Sequence, residues 1–135
     1  MREIPRIFSG LLERFPELRV CFAEGQLGWI PYVLERADAI WSKGEVWAVP
    51  GHPLHDPPSS RMPQIYGCVF DDAVGLAARD VVGIDQILFE TDYPHQDSTW
   101  PNTARVAAAL TEPLTDDEVD KVLRGNAARL FAIAR

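Results

Sequence analysis

The chain has 135 residues, of which 47% are hydrophobic and 24% charged, with a net charge of −7 and a pI near 4.8. This length and composition suit one globular domain, and the acidic balance argues against nucleic acid or an anionic membrane as the partner. No apolar run approaches the ~18 residues that a membrane helix needs, and the N-terminus lacks the apolar core of a signal peptide. We therefore expect a cytoplasmic protein.

The first half of the chain predicts two helices around one strand. Apolar residues at helical spacing predict a helix over residues 4–15 and another over 29–41, with Pro31 tolerated in its first turn. The apolar run at 18–23 predicts a strand between them, followed by a loop. Residues 42–63 contain five prolines, which predict a long loop with a short helical turn near 59–62.

The second half alternates strands with helices. We predict strands over 65–70 and 87–90, separated by a short helix over 73–82. A helix over 99–110 follows, with Thr99 as its cap and Pro101 in its first turn.

A capping box at the C-terminal end, Thr115 with Glu118, predicts a helix through residue 123. Gly125 then ends this helix, and Asn126 caps a last one over 127–133. Strands separated by helices form parallel sheets, so the predicted class is α/β.

Three buried parallel strands make a poor sheet by themselves, because both edges would leave backbone groups unpaired. A closed eight-stranded barrel takes about 250 residues. We therefore expect this chain to be the last part of a larger unit.

Polar residues follow each predicted strand where the sheet ends, and ligands bind at that edge of α/β proteins. Asp92 follows the third strand, and three roles are open to its carboxylate: metal ligand, general base, or cap of a turn. Glu24 follows the first strand, either facing the same edge or bonded to nearby backbone N–H groups or an arginine. Asp71 and Asp72 follow the second, where capping the next helix is the simpler role.

The histidines, tryptophans and cysteines carry weaker signals. His95, three residues after Asp92, is a loop histidine or a third ligand, whereas His52 and His55 lie in a proline loop that is poorly suited to metal binding. Trp29 is a packing or substrate-contacting residue, and Trp100 is a candidate to line a substrate pocket. We expect two buried, reduced thiols at Cys21 and Cys68, which lie in separate apolar segments.

Several segments in order resemble the amidohydrolase-related (amidohydrolase 2) family, which includes aminocarboxymuconate-semialdehyde decarboxylase-like proteins. They are FPELRVCFA at residues 15–23, GWIPYVLERAD at 28–38, ILFETDYPH at 87–95 and NAARLF at 126–131. The resemblance implies a metal-dependent TIM (β/α)8 barrel of which this chain is the C-terminal part, about strands 6–8 with their helices. It also implies a small-molecule substrate and a divalent metal, most often zinc.

Carried over by position, Asp92 resembles the aspartate that ligands the metal and helps to activate its water. The histidine ligands of the first and fifth strands have no counterpart here, so the resemblance implies an inactive chain unless a homodimer or a missing N-terminal half completes the site. Glu24 stands where decarboxylating members carry a histidine. This departure favours hydrolysis by a metal-activated water, with Asp92, Glu24 and His95 as catalytic residues. The alternatives are decarboxylation and a non-catalytic assembly module.

Overall fold

The computed structural model describes residues 9–43 and 54–133, which form a three-stranded parallel sheet with helices around it. The strands are β1 (Val20–Phe22), β2 (Ile65–Val69) and β3 (Ile87–Phe89), in the order β1-β2-β3. Val20 pairs with Ile65, and Gly67 pairs with Ile87. The predicted α/β class and all three strands are confirmed.

Several short helices precede β3, and two of the predicted helices are shortened or divided. They are α1 (Leu11–Arg14), α2 (Ile30–Ser42), a 3-10 helix (Pro58–Gln64), α3 (Ala73–Ala77), α4 (Arg79–Val82) and a second 3-10 turn (Ile84–Gln86). The prediction of one helix over 4–15 is wrong at Gly10, whose left-handed backbone (φ 73°) precedes α1. The predicted helix over 73–82 is two helices, because the backbone turns at Ala78.

The predicted turn near 59–62 is confirmed as the longer 3-10 helix. Residues 44–53, including His52, lie outside the described residues, so the long-loop prediction is tested only at its end.

After β3 the chain forms α5 (Thr103–Thr111), α6 (Asp116–Asp120), a π-helical turn (Lys121–Gly125) and α7 (Asn126–Leu130). The predicted start of α5 is wrong, because Thr99 contacts the Thr103 hydroxyl at 2.9 Å and caps no helix. The prediction that Gly125 ends a helix is also wrong. Its backbone is helical (φ −61°), so α6 runs through the π turn into α7.

Asn126 is therefore a buried interior residue and not a helix cap. Its side-chain amide donates to the carbonyl oxygens of Ile84 and Ile87, both at 2.8 Å, and so fastens the last helices to the start of β3.

Alternate residues of the strands face two separate apolar clusters. Ile65, Val69 and Ile87 pack in the larger cluster with side chains from the helices. On the opposite face, Tyr66, Cys68 and Leu88 form a smaller cluster against the last helix. None of the helices in the described ranges is long and apolar enough to cross a membrane.

The predicted capping box at α6 is confirmed. Thr115 accepts a hydrogen bond from the Glu118 N–H, and the Glu118 carboxylate accepts one from the Thr115 N–H at 2.9 Å. The hydrogen bond from the Thr115 backbone, followed by that from the Arg79 guanidinium at 3.0 Å, lowers the pKa of Glu118 to about 2.

We predict that Arg79→Met raises the pKa of Glu118 towards its usual value, because the guanidinium bond is lost while the capping box remains. Carboxyl carbon shifts followed by NMR against pH measure the change. Arg105→Met is the control, since Arg105 makes none of these bonds, and an unchanged Glu118 pKa in Arg79→Met would contradict the assignment.

Candidate functional site at the carboxyl ends of the strands

The segments that follow the three strands meet at one edge of the sheet. The Glu24 N–H, after β1, donates to the Glu90 carboxylate, after β3, at 2.7 Å. The Leu27 and Gly28 N–H groups donate to the Asp72 carboxylate, after β2, at 2.9 and 2.7 Å. These hydrogen bonds join all three segments, as the sequence predicts for the ends of parallel strands.

Asp92 lies at this edge with its side chain only 11% exposed. Its Oδ2 lies 2.9 Å from Nδ1 of His95, whose side chain is 58% exposed. The carboxylate therefore meets an imidazole and not the start of a helix, and a histidine in this position can orient the carboxylate and carry a proton. The structure thus places the Asp92 and His95 side chains in contact, and His95 as a metal ligand stays a prediction.

The loop that carries Asp92 is held closed at its base. The Thr91 carbonyl accepts from the Thr99 N–H at 3.2 Å and from the Ser98 hydroxyl at 2.9 Å. The Asp92 backbone is left-handed (φ 54°), and the Tyr93–Pro94 and Trp100–Pro101 peptide bonds are cis. Left-handed backbone at a residue other than glycine is uncommon and is found at functional sites more often than elsewhere.

Glu90 is a site residue that the sequence analysis assigned to the end of a strand. Burial, together with the negative charges of Asp92 and Glu24, raises the pKa of Glu90, although hydrogen bonds from the Glu24 N–H and the Cys68 thiol oppose this. Glu90 comes directly after β3, two residues beyond Leu88, and side chains two residues apart in an extended chain point to the same face.

Glu24 contributes its backbone to this arrangement, and its side chain is exposed. Its backbone is left-handed (φ 58°), as is that of Gln26 (φ 55°). The Gln26 side chain accepts from the Phe70 N–H at 3.2 Å and so adds a second link between the segments after β1 and β2.

Asp72 is a helix cap, as predicted, and also a link between loops. Its Oδ1 accepts from the Gly75 N–H at 2.7 Å at the start of α3, while Oδ2 takes the two N–H groups of the loop after β1. Burial opposes ionisation, but the three hydrogen bonds outweigh it and lower the pKa of Asp72.

The two tryptophans occupy different surroundings. Trp29 packs edge-to-face on Phe22 at 5.5 Å between ring centroids and donates to the Gln26 carbonyl, so its described contacts are structural. Trp100 is 64% exposed, lies 5.6 Å from the Tyr93 ring, and lines a cavity of about 260 Å³. Phe70 and Arg105 also line this cavity, which lies between the segments that follow β2 and β3.

His55 lies away from this edge. It is exposed, and its backbone N–H donates to the Glu13 carboxylate at 3.3 Å.

A divalent-metal site needs several ligands that converge on one ion. Within residues 9–43 and 54–133, no three His, Cys, Asp or Glu side chains are placed to hold one ion. Zinc sites in proteins use three or four protein ligands, so the described residues do not by themselves form a complete site, and Asp92 as a metal ligand stays a prediction.

The amidohydrolase family model matches residues 3–133, and the chain belongs to this family. The narrower resemblance to aminocarboxymuconate-semialdehyde decarboxylase-like proteins stays a prediction.

Three solved structures are similar to it. An amidohydrolase from Mycobacterium avium subsp. paratuberculosis K-10 is 20% identical with a TM-score of 0.74, over 95% of this chain and 31% of that one. The 5-carboxyvanillate decarboxylase of Sphingomonas paucimobilis is 25% identical with a TM-score of 0.77, over 97% and 38%. A dihydroxybenzoic acid decarboxylase of Polaromonas sp. JS666, with bound manganese and 2-nitroresorcinol, is 22% identical with a TM-score of 0.74, over 99% and 40%.

The chain thus spans between 31% and 40% of the length of these structures. The match supports a fold of the barrel type for the α/β arrangement seen here. Which strands of the barrel the three described strands represent stays a prediction.

We predict that Glu90→Gln stabilises the protein at neutral pH, because it removes a charge that burial and two carboxylates disfavour and keeps an oxygen for the Glu24 N–H. A raised carboxyl pKa gives stability that is present below the unfolded-state value of about 4.3 and is lost as pH rises through the folded-state value. The advantage of Glu90→Gln should therefore shrink as pH falls through this window. Urea unfolding at several pH values measures it, and an advantage that grows towards acid pH would contradict the account.

Proposed function

We propose that this chain supplies the Asp92 ligand to a divalent-metal site in an enzyme that acts on a small organic acid, and that the reaction is decarboxylation. The observation that carries the proposal is the nearly buried Asp92 carboxylate, held by His95 at the edge where all three strands end. Membership of the amidohydrolase family supports a catalytic role at this edge.

Decarboxylation takes precedence over hydrolysis because of one comparison. The 5-carboxyvanillate decarboxylase matches nearly the whole chain at 25% identity. The cavity beside the Asp92 loop is lined by Phe70, Trp100 and Arg105, and also by the acidic residues Asp71 and Asp97. Aromatic residues and a cation suit an aromatic carboxylate, whereas the two acidic residues disfavour an anion.

Hydrolysis is the second candidate, and Glu24 favours it. As the family resemblance implies, decarboxylating members carry a histidine where this chain carries Glu24. An exposed carboxylate at that position suits a general base acting on water better than a proton donor to a carbanion.

A bound divalent ion would act as a Lewis acid that polarises the substrate oxygens. Asp92 would be one of its ligands, and His95 would fix the orientation of that carboxylate and exchange protons at Nδ1. Glu90 would hold the segment that carries Glu24 against β3 through its bond to the Glu24 N–H.

We further propose that the described donor set is completed by another polypeptide segment, in a homodimer or from a chain that carries further barrel strands. The metal in this proposal is zinc or manganese. If no such site forms, the chain is instead a non-catalytic assembly module.

A chimera tests the reaction. This chain replaces the segment that it matches in 5-carboxyvanillate decarboxylase, and the purified chimera is assayed with manganese for CO2 release from 5-carboxyvanillate and for hydrolysis of a lactone. We expect CO2 release from the chimera, loss of that release in Asp92→Asn, and none from the 135-residue chain alone. Hydrolysis without CO2 release would favour the second candidate. A folded, metal-loaded chimera without either activity would overturn the proposal.

A further inference from the structure

The only two cysteines of the chain lie side by side, although 47 positions separate them in sequence. Cys21 on β1 and Cys68 on β2 point to the same face of the sheet, and their sulfur atoms are 3.7 Å apart. Both are free thiols. The sequence alone predicts two separate buried thiols, because nothing in the spacing of the cysteines indicates contact across two strands.

The two thiols differ in exposure and in charge preference. Cys21 is partly exposed, whereas Cys68 is only 7% exposed and packs with Tyr66 and Leu88. The hydrogen bond from Cys68 lowers the pKa of Cys21, against burial and the charge of Glu90. The same hydrogen bond, then burial, raises the pKa of Cys68. Cys21 is therefore the more reactive thiol, since the thiolate is the nucleophile.

We propose that Cys21 and Cys68 form an oxidation site, at which a peroxide converts the thiol pair into a disulfide between β1 and β2. The Cys21 thiolate attacks the peroxide, so that the O–O bond breaks, an S–O bond forms and an alkoxide or hydroxide leaves. Cys68 then attacks the sulfur of the resulting sulfenic acid and releases water. The two thiols lose two electrons, the peroxide gains them, and the products are one disulfide, one water and one alcohol or water.

Closing the bond requires a movement of β1 as well as of the two side chains. The sulfur atoms must approach from 3.7 Å to about 2.05 Å, and Cys21 pairs with Tyr66, so Cys68 is its diagonal neighbour on the same face. The link would fix β1, a three-residue strand that within the described residues pairs only with β2. Because Glu24 follows β1 by two residues, oxidation would also restrain the segment that contacts Glu90.

The test uses the full 135-residue chain, reduced and then treated with stoichiometric hydrogen peroxide. Thiol titration under denaturing conditions should fall from two thiols to none, the intact mass should fall by two hydrogens, and dithiothreitol should restore both. Peptide mapping should find Cys21 linked to Cys68 within one chain, and the oxidised chain should unfold at higher urea concentration than the reduced one.

Serine variants distinguish a reactive oxidation site from two thiols that merely lie close together. Cys68→Ser should stop at a sulfenic acid on Cys21 that dimedone traps, whereas Cys21→Ser should react with peroxide at least ~10-fold more slowly because Cys68 is buried and protonated. Retention of both thiols, a disulfide formed only between chains, or equal reactivity of the two variants would each overturn the proposal.

Discussion

Replacing Asn126 with leucine should lower the free energy of unfolding by about 2–4 kcal/mol, because the buried Ile87 carbonyl would lose its side-chain donor and the Ile84 carbonyl would keep only the Ile87 N–H. Leucine has a similar volume, so the change isolates the lost hydrogen bonds from the cost of a cavity. Asn126 is fully buried, which leaves little room for water to replace the amide. Urea unfolding followed by tryptophan fluorescence measures the effect.

Asn102→Leu is the matched control for this substitution. Asn102 is exposed and makes no capping hydrogen bond at the start of α5, so its replacement should change stability by less than about 0.5 kcal/mol. Equal effects of the two variants would mean that the Asn126 amide does not fasten α7 to β3.

The second large effect is expected for Asp72→Ala, with a loss of about 2–4 kcal/mol, since three backbone N–H groups lose a charged acceptor. Two of these groups belong to the loop after β1, so the substitution also loosens the edge where the site lies. The space around the carboxylate is tight, because a Cβ added at Gly75 would lie 2.2 Å from Asp72 Oδ2.

The Asp72 carboxylate also predicts that the stability of the protein depends on pH. The folded-state pKa of Asp72 is lowered, so its stabilising contribution is present above the unfolded-state value of about 3.9 and is lost as pH falls through the folded-state value. Asp72→Ala should therefore differ from the parent most at neutral pH and converge with it in acid. The exposed neighbour Asp71 provides the control, and Asp71→Ala should have little effect at any pH.

The periodicity of the sequence was sufficient to predict the three strands, the helix at 30–42 and the capping box at Thr115. It failed where tertiary contacts outweigh local preference. Gly125 and Asn126 form a favourable local stop signal, yet the amide of Asn126 is used by Ile84 and Ile87, some 40 residues earlier, and the helix continues. The predicted helix start at Thr99 is wrong for a similar reason, because the loop from 91 to 99 closes on itself before a helix begins.

The site could be predicted in outline only. Asp92, Glu24 and Asp72 were placed at one edge because the ends of parallel strands meet there, and the structure places them at that edge. Glu90 and the Cys21–Cys68 pair depend on the register between strands, which a single sequence does not encode locally.

The most direct measurement of the central claim is paramagnetic broadening of amide NMR signals by manganese, which detects weak binding by an incomplete ligand set. We predict that manganese broadens the signals of Glu24 and of residues 90–93 and 95 in the parent chain, and that Asp92→Asn abolishes this broadening. Asp97→Asn, an exposed aspartate in the same loop, serves as the control and should leave it unchanged. Broadening that persists in Asp92→Asn, or that centres on another part of the chain, would contradict the assignment of Asp92 as a metal ligand.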